Sequence, residues 1–180
     1  MIVTRSAPAE GIVLKRSNTG EADRIITILT KEYGKIVGVA KGVRKLSSSK
    51  KSYMEPGNHI KILLVRTSSM PIITQASLIH QAMGSDATLR SIRSLVQWLE
   101  IMDTIFVEEE LDHELYQLVL STRTQCLVPK VNIDLMQKQL ATILQLLGFN
   151  DDQGEKTYSI TQFVNTLSDR PLKGFDYLTV

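Results

Sequence analysis

The sequence predicts an α+β protein in which a small β-barrel is followed by an all-α helical domain. Three observations predict this: β-branched segments fill the first part, apolar residues at helical spacing fill the second, and the charge balance changes between them. The 180 residues are 43% hydrophobic and 22% charged, which suits one or two domains with buried cores and excludes a disordered chain. We assign residues 1–80 to the barrel and residues 81–180 to a helical bundle.

Five short segments of the first part have the composition of strands. Isoleucine, valine and threonine dominate them, and polar or glycine-containing turns separate them. Tyr33-Gly34-Lys35 is a tight turn, so the second and third segments are expected to form a hairpin. Five strands without a long helix between them indicate an OB-fold barrel, with an SH3-like barrel as the nearest alternative. The segments are 12–16, 24–30, 35–41, 59–66 and 72–76.

Apolar residues then recur at spacings of three and four, which predicts amphipathic helices. Pro129 ends the second helix, Asn132 caps the third, and Gly148 stands where a C-terminal cap belongs. Residues 159–162 have capping-box spacing ahead of a fourth, shorter helix. The predicted core positions are Leu89, Ile92, Val96, Leu99, Met102 and Phe106 in the first helix, Leu111, Leu115, Leu118, Val119 and Cys126 in the second, and Leu135, Met136, Leu140, Ile143, Leu144 and Leu147 in the third.

The charge differs strongly between the two parts. Residues 1–79 contain 13 Lys and Arg against five Asp and Glu, whereas residues 80–180 contain eight against 14. Residues 41–51 hold five cations and no acid among small residues, a composition that neutralises phosphates along a nucleic-acid backbone. A solvated loop is the alternative interpretation of a basic run considered alone. Tyr33 and Tyr53, the aromatic residues of the basic part, are candidates for stacking on one base each.

Signals for an enzyme are weak. His59, His80 and His113 lack metal-ligand spacing, no nucleophile–base pair is recognisable, and Glu108–Glu110 is typical of a solvated helix junction. The single Cys126 makes no internal disulfide or cysteine-based zinc site, so we predict a protein without metal, cofactor or catalytic residues. Because no apolar run approaches about 18 residues and no secretory signal begins the chain, we expect a reducing, cytoplasmic setting without a membrane.

Residues 20–44 carry a specific motif: a GEADRI turn and strand, an LTKEYGK hairpin, and VAKGVR opening the basic loop. Glu55-Pro56 and Thr74-Gln75-Ala76 continue the pattern through the last two strands, and Leu146-Leu147-Gly148-Phe149 ends the third helix. With these motifs, residues 8–150 resemble the RecO family of bacterial recombination mediators, whose N-terminal domain is an OB-fold barrel.

The resemblance implies a bacterial, nucleoid-associated protein of DNA repair. Such proteins bind single- and double-stranded DNA, anneal complementary strands, contact the C-terminal tail of single-strand DNA-binding protein (SSB), and act with RecR to load RecA on SSB-coated DNA. It also implies an SSB contact at Lys138. The implied DNA contacts are Arg24, Lys35, Lys41, Arg44 and Lys45, to which composition adds Lys50 and Lys51.

Two alternatives to a DNA-binding mediator stay open at this point. The first is an interaction adaptor that binds SSB or RecR through the helical domain, and the second is an OB-fold protein that binds RNA. Many family members carry a four-cysteine zinc module after the L-L-G-F motif, where this sequence continues with Asn150-Asp151-Asp152-Gln153-Gly154. We therefore expect a short form without the zinc module and without zinc.

Overall fold

The computed structural model describes residues 6–46 and 48–149. It divides the chain into two units: the first contains the chain up to Ala82 together with Phe106–Leu111, and the second contains Met83–Ile105 and the chain from Asp112 onward. The described elements, in chain order, are β1 (Ser6–Thr19), β2 (Asp23–Thr30), β3 (Gly34–Ala40), a 3₁₀ turn (Ser49–Lys51), β4 (His59–Val65), β5 (Ile72–His80), α1 (Leu89–Ile105), α2 (His113–Leu127) and α3 (Ile133–Leu146).

The five strands close into a barrel in the order β1-β2-β3-β5-β4, with β4 pairing back on β1. The β3–β5 pairing is parallel, with Val39 opposite Ile72, and the others are antiparallel. β1 is longer than the sequence pattern predicts because it serves two neighbours: residues 6–12 pair with β4 and residues 11–19 with β2. A register shift between Val13 and Lys15 accompanies the change of partner. The predicted α+β class and OB-fold barrel are confirmed.

The barrel core is built from the alternate residues of its strands. Ile26 and Ile28 of β2, Ile60 and Ile62 of β4, and Ile73 of β5 are all buried in one apolar cluster. Their β-branched side chains suit the pleated, half-buried surface of a strand, which explains why this part of the sequence forms strands and not helices.

A short segment after α1 returns to the barrel and packs on the β2–β3 turn. The Lys35 N–H donates to the Val107 carbonyl at 2.8 Å, and the Leu111 N–H donates to the Lys31 carbonyl at 3.0 Å. Gly34 has φ +62°, and a Cβ added there would clash with the backbone of Glu109. The sequence pattern, which assigns everything after residue 80 to the helical domain, gave no sign of this return.

In the second unit, α1 packs on α2 and α2 on α3. The Asn132 side chain accepts a hydrogen bond from the Leu135 N–H at 3.1 Å, α2 ends at Leu127 before Pro129, and Gly148 has φ +81° after α3. These helix ends agree with the predicted signals. The predicted fourth helix and the 150–154 loop lie outside the described residues. None of the described helices is long and apolar enough to cross a membrane.

The predicted core face of α1 is partly wrong. Leu89, Ile92 and Val96 are exposed. The predicted Leu99, Met102 and Phe106 are buried, and so are Leu95 and Trp98, which the prediction left out. The reason is Trp98, whose indole N–H donates to Thr122 Oγ1 of α2 at 2.9 Å and so turns its own face of the helix toward α2. Apolar residues at a spacing of three and four occur on both faces of this helix, so spacing alone does not identify the buried one.

Candidate nucleic-acid interface

Three segments meet at one end of the barrel: the β1–β2 turn, the end of β3 and the basic loop that follows it. The Gly42 N–H donates to Asp23 Oδ1 at 2.7 Å, and the Arg44 N–H donates to the Ala22 carbonyl at 2.9 Å. These bonds anchor the loop backbone on the turn, so its cations project from a fixed base. We call residues 16–24, 40–46 and 48–51 together the cationic end.

Four of the predicted cations at the cationic end have exposed side chains: Lys41, Arg44, Lys45 and Lys51. Arg44 Nη1 donates to the Gly20 carbonyl at 3.3 Å, a neutral contact that keeps its charge available. Lys50 is half-buried, and its Nζ donates to the Thr74 carbonyl of β5 at 2.9 Å. The structure therefore brings six of the seven predicted cations to this end: four face water, Lys50 ties the loop to β5, and Arg24 is buried.

Arg24 does not fit the implied role of a direct DNA contact. It is 5% exposed, and its Nη1 donates to Glu55 Oε1 at 3.2 Å. Its Nε is buried and makes no hydrogen bond to any described group. Because β2 is paired on both sides and residue 24 points inward, the guanidinium lies inside the rim of the barrel beneath the basic loop.

Arg16 is a cation of the cationic end that sequence reasoning missed. Its exposed side chain donates from Nε to Glu55 Oε2 at 2.8 Å, so Glu55 pairs with Arg16 and Arg24 at once. β1 pairing places Arg16 opposite Ile26, close to the β1–β2 turn. The signal in the sequence is its position four residues before the GEADRI motif, which brings it to the same end of the hairpin as the start of β2.

Lys35 and Tyr33 lie at the opposite end of the barrel. Lys41 lies six positions after Lys35, just beyond the end of β3, a distance of about 20 Å along an extended strand. Tyr33 lines a cavity of about 550 Å³ in the first unit, and the Arg66 guanidinium carbon lies 5.8 Å above its ring. The acidic residues lining this cavity are Glu32, Glu108, Glu109 and Glu110. Their negative charge opposes a phosphate backbone, so we call this end of the barrel the acidic end.

Tyr53 follows the 3₁₀ turn and lies beside the cationic end. Its N–H donates to the Lys50 carbonyl at 3.2 Å, and its half-buried side chain packs against the barrel core. A base that stacks on Tyr53 therefore has only part of the ring available.

The second unit carries its own smaller groups of cations. Lys138 is exposed on α3. Arg90 and Lys130, both exposed, line a cavity of about 480 Å³ beside Val131 and Asn132 at the start of α3.

The remaining titratable groups offer no recognisable catalytic arrangement in residues 6–46 and 48–149. No three His, Cys, Asp or Glu side chains of this part lie close enough together to hold a metal ion. His59 Nε2 pairs with Glu10 Oε1 at 3.0 Å and its ring stacks on His80. Burial raises the pKa of the Cys126 thiol far above its ordinary value, and burial lowers the pKa of Arg123 to about 10. Both groups belong to the helical core.

Residues 5–82 match the family model for the N-terminal domain of recombination protein O. The DNA repair protein RecO of Frankia casuarinae is 47% identical over 70 residues, which are 39% of this chain and 29% of that protein. For the DNA repair protein RecO of Thermobifida fusca the identity is 43% over 76 residues, 42% of this chain and 31% of the relative. For that of Nocardioides it is 36% over 103 residues, 56% of this chain and 41% of the relative.

The chain thus spans less than half the length of these curated relatives, and the family-model match over residues 5–82 includes the whole barrel. The motifs of residues 20–44, the closed five-strand barrel and the family match agree with one another. Over residues 5–82, the chain is similar to the N-terminal domain of the RecO family.

Proposed function

We propose that the barrel binds the sugar–phosphate backbone of DNA through its cationic end, without regard to base sequence. The observation that carries this proposal is the assembly of exposed cations on an anchored loop at one end of the barrel. Cations that neutralise phosphates release condensed counterions, which supplies affinity without base-specific contacts. The relatives are named DNA repair protein RecO, which supports DNA as the polyanion.

The proposed interface differs from the one implied by the resemblance. Its direct contacts are Arg16, Lys41, Arg44, Lys45 and Lys51, because these basic side chains are exposed at the cationic end. Lys50 ties the loop to β5, and Tyr53 offers partial stacking. We leave out Arg24 because it is buried, and Lys35 and Tyr33 because they lie at the acidic end.

The wider function we propose is that of a recombination mediator in DNA repair. Two complementary strands repel each other through their phosphates, and a concentrated cationic surface lowers that repulsion, so annealing needs no catalytic residue. The proposed partners are single- and double-stranded DNA, the acidic tail of SSB, and RecR, with RecA loading as the result. For the SSB tail we propose the helical unit, where Lys138, Arg90 and Lys130 supply exposed positive charge.

The direct test measures binding of labelled single strands and duplexes by fluorescence anisotropy across a salt series. The variant replaces Lys41, Arg44, Lys45 and Lys51 with alanine, and K61A is the matched control, since Lys61 is an exposed cation on β4 of the same barrel. We expect the fourfold variant to bind roughly a hundredfold more weakly at about 50 mM salt. The slope of log K against log salt concentration should become shallower by about three units on single strands. K61A should behave as the unmodified protein.

Annealing of complementary oligonucleotides is measured with the same proteins. Loss of acceleration in the fourfold variant, with K61A unaffected, supports the proposal. Equal binding and annealing by the fourfold variant and the unmodified protein would overturn it.

The adaptor and RNA alternatives give different results in the same assay. An adaptor binds an SSB-tail peptide tightly and binds DNA negligibly at physiological salt. An RNA-binding protein prefers the RNA strand in competition between RNA and DNA of the same sequence, because contacts to the 2′-hydroxyl distinguish RNA, whereas phosphate contacts alone give no preference.

A further inference from the structure

The most exposed large hydrophobic side chain of the described residues belongs to the cationic end. Leu46 has a relative exposure of 102%, and the next most exposed, Leu89, has 63%. Leu46 directly follows Arg44 and Lys45 and precedes Lys50 and Lys51 in the basic loop. A fully exposed leucine therefore stands among the cations that we propose to contact phosphates.

The backbone on both sides of Leu46 is held by hydrogen bonds. The Lys45 N–H donates to the Gly42 carbonyl at 3.2 Å, and the Ser48 N–H donates to the Lys45 carbonyl at 3.0 Å. The Arg44 N–H is itself anchored on Ala22 of the β1–β2 turn. Leu46 thus lies within a held part of the loop, and its side chain is fully exposed and not part of the barrel core.

A single exposed leucine is ordinary on a protein surface and carries no meaning by itself. The surroundings of Leu46 give it one here, because a strand whose phosphates pair with Arg44 and Lys45 passes beside Leu46, the next residue of the loop. The two tyrosines of the barrel are half-buried against the core and offer little ring surface for stacking. Proteins that unstack nucleic acids use leucine among other apolar side chains to pack between bases.

We propose that Leu46 is a base-contacting residue that packs its side chain against the face of an unstacked nucleobase while the flanking cations hold the phosphates. This inference rests on the proposed function. It separates two contributions to affinity: the cations determine the salt slope, and Leu46 adds a contribution that salt leaves unchanged, since burying apolar surface releases no counterions. It also predicts a preference for single strands, whose bases are accessible, over duplexes.

The test compares two probes with the same number of phosphates: an ordinary single-stranded oligonucleotide and one whose central sugars carry no base. The variant is L46A, and the matched control is L89A, which removes the next most exposed leucine, in α1 of the other unit. We expect L46A to bind the ordinary strand about five- to tenfold more weakly, with an unchanged salt slope, and the base-free strand as the unmodified protein does. L89A should bind both probes normally.

A second variant, L46W, gives a spectroscopic readout, because indole fluorescence is quenched by stacking on bases. We expect quenching with the ordinary strand and none with the base-free strand. Equal losses of L46A on both probes, or no loss on either, would overturn the inference. If the fourfold cation variant binds DNA normally, the proposed function fails; if that variant loses binding while L46A does not, only the role of Leu46 fails.

Discussion

At the scale of single residues, one carboxylate organises the rim of the barrel. Glu55 accepts from Arg16 at 2.8 Å and from Arg24 at 3.2 Å. The two ion pairs contribute differently to stability. Arg16 is exposed and its pair is screened by water, whereas Arg24 is 5% exposed and depends on Glu55 for a charge partner. Glu55 is therefore mainly a structural partner of a buried cation.

We predict that E55Q lowers the free energy of unfolding by about 1–3 kcal/mol, because the buried Arg24 loses its charged acceptor while Glu55 itself is only partly buried. Urea unfolding monitors this change. E21Q removes an exposed acid from the neighbouring turn and should change stability by less than about 0.5 kcal/mol. Equal effects of the two substitutions would show that Arg24 does not need Glu55.

The helical core contains a thiol whose protonation is coupled to folding. Burial raises the pKa of Cys126, with a smaller opposing effect from Arg123. The unfolded chain releases this proton near the ordinary pKa and the folded chain retains it, so the stability contribution is complete at lower pH and is lost as the pH rises. Burial lowers the pKa of Arg123 to about 10, which acts in the opposite direction at still higher pH.

Because the pKa of Cys126 is raised in the folded state, we predict that the free energy of unfolding of the unmodified protein falls by about 1 kcal/mol relative to that of C126A between about pH 8 and about pH 10. Urea unfolding of both proteins at the two pH values gives the difference. A constant difference between the two proteins would show that Cys126 is accessible to water. Native-state labelling by a thiol reagent should likewise be slow, because the thiolate is the reactive form.

At the scale of elements, the β2–β3 turn is shaped by the segment packed on it. Gly34 and Gly20 both have positive φ, +62° and +54°, a conformation that side chains disfavour. The room for a side chain differs between them: a Cβ at Gly34 would clash with the backbone of Glu109 and Val107, whereas a Cβ at Gly20 has no atom within 4 Å.

G34A is therefore expected to destabilise the protein by at least about 2 kcal/mol more than G20A, which should cost only about 1 kcal/mol for its backbone conformation. Hydrogen exchange of the Lys35 and Leu111 amides reports directly on the contact. Faster exchange at both amides in G34A alone is the expected pattern. Similar exchange in the two variants would mean that residues 106–111 do not hold the turn.

At the scale of the whole barrel, charge is divided between two ends. The cationic end carries the exposed basic loop, and the other end has acidic side chains around the cavity beside Tyr33. Under the proposed function, a phosphate backbone is attracted to the first end and disfavoured at the second, so this charge division is expected to orient it.

Lys35 and Lys45 test this division, because both belong to the basic part of the sequence and they lie at different ends. We predict that K45A weakens single-strand binding about threefold or more at low salt, and that K35A leaves it within about twofold of the unmodified protein. Anisotropy titrations with a labelled single strand measure the affinities of both variants. If K35A is as damaging as K45A, the nucleic acid extends along the whole of β3.

Much of the fold follows from local patterns, which is why the sequence predicts it. Runs such as Arg24–Thr30 are too rich in β-branched residues for a helix, and Asn132 and Gly148 provide local helix-end signals. The prediction for α1 was wrong at Leu89, Ile92 and Val96, because apolar residues occur on two faces of this helix and the packing of Trp98 on α2 determines which face is buried. Five cations of the candidate site are neighbours along one loop, which is why the sequence alone indicates them.

The sequence by itself determined the barrel, the helices, the resemblance to the RecO family over residues 5–82 and the basic loop, because each depends on residues that are close together along the chain. Only the tertiary structure decided that Arg24 lies buried against Glu55, that Lys35 is at the acidic end, that Arg16 joins the cationic end, and that residues 106–111 return to the β2–β3 turn. These outcomes depend on strand register and barrel closure, which bring together residues tens of positions apart and bury some charges while exposing others.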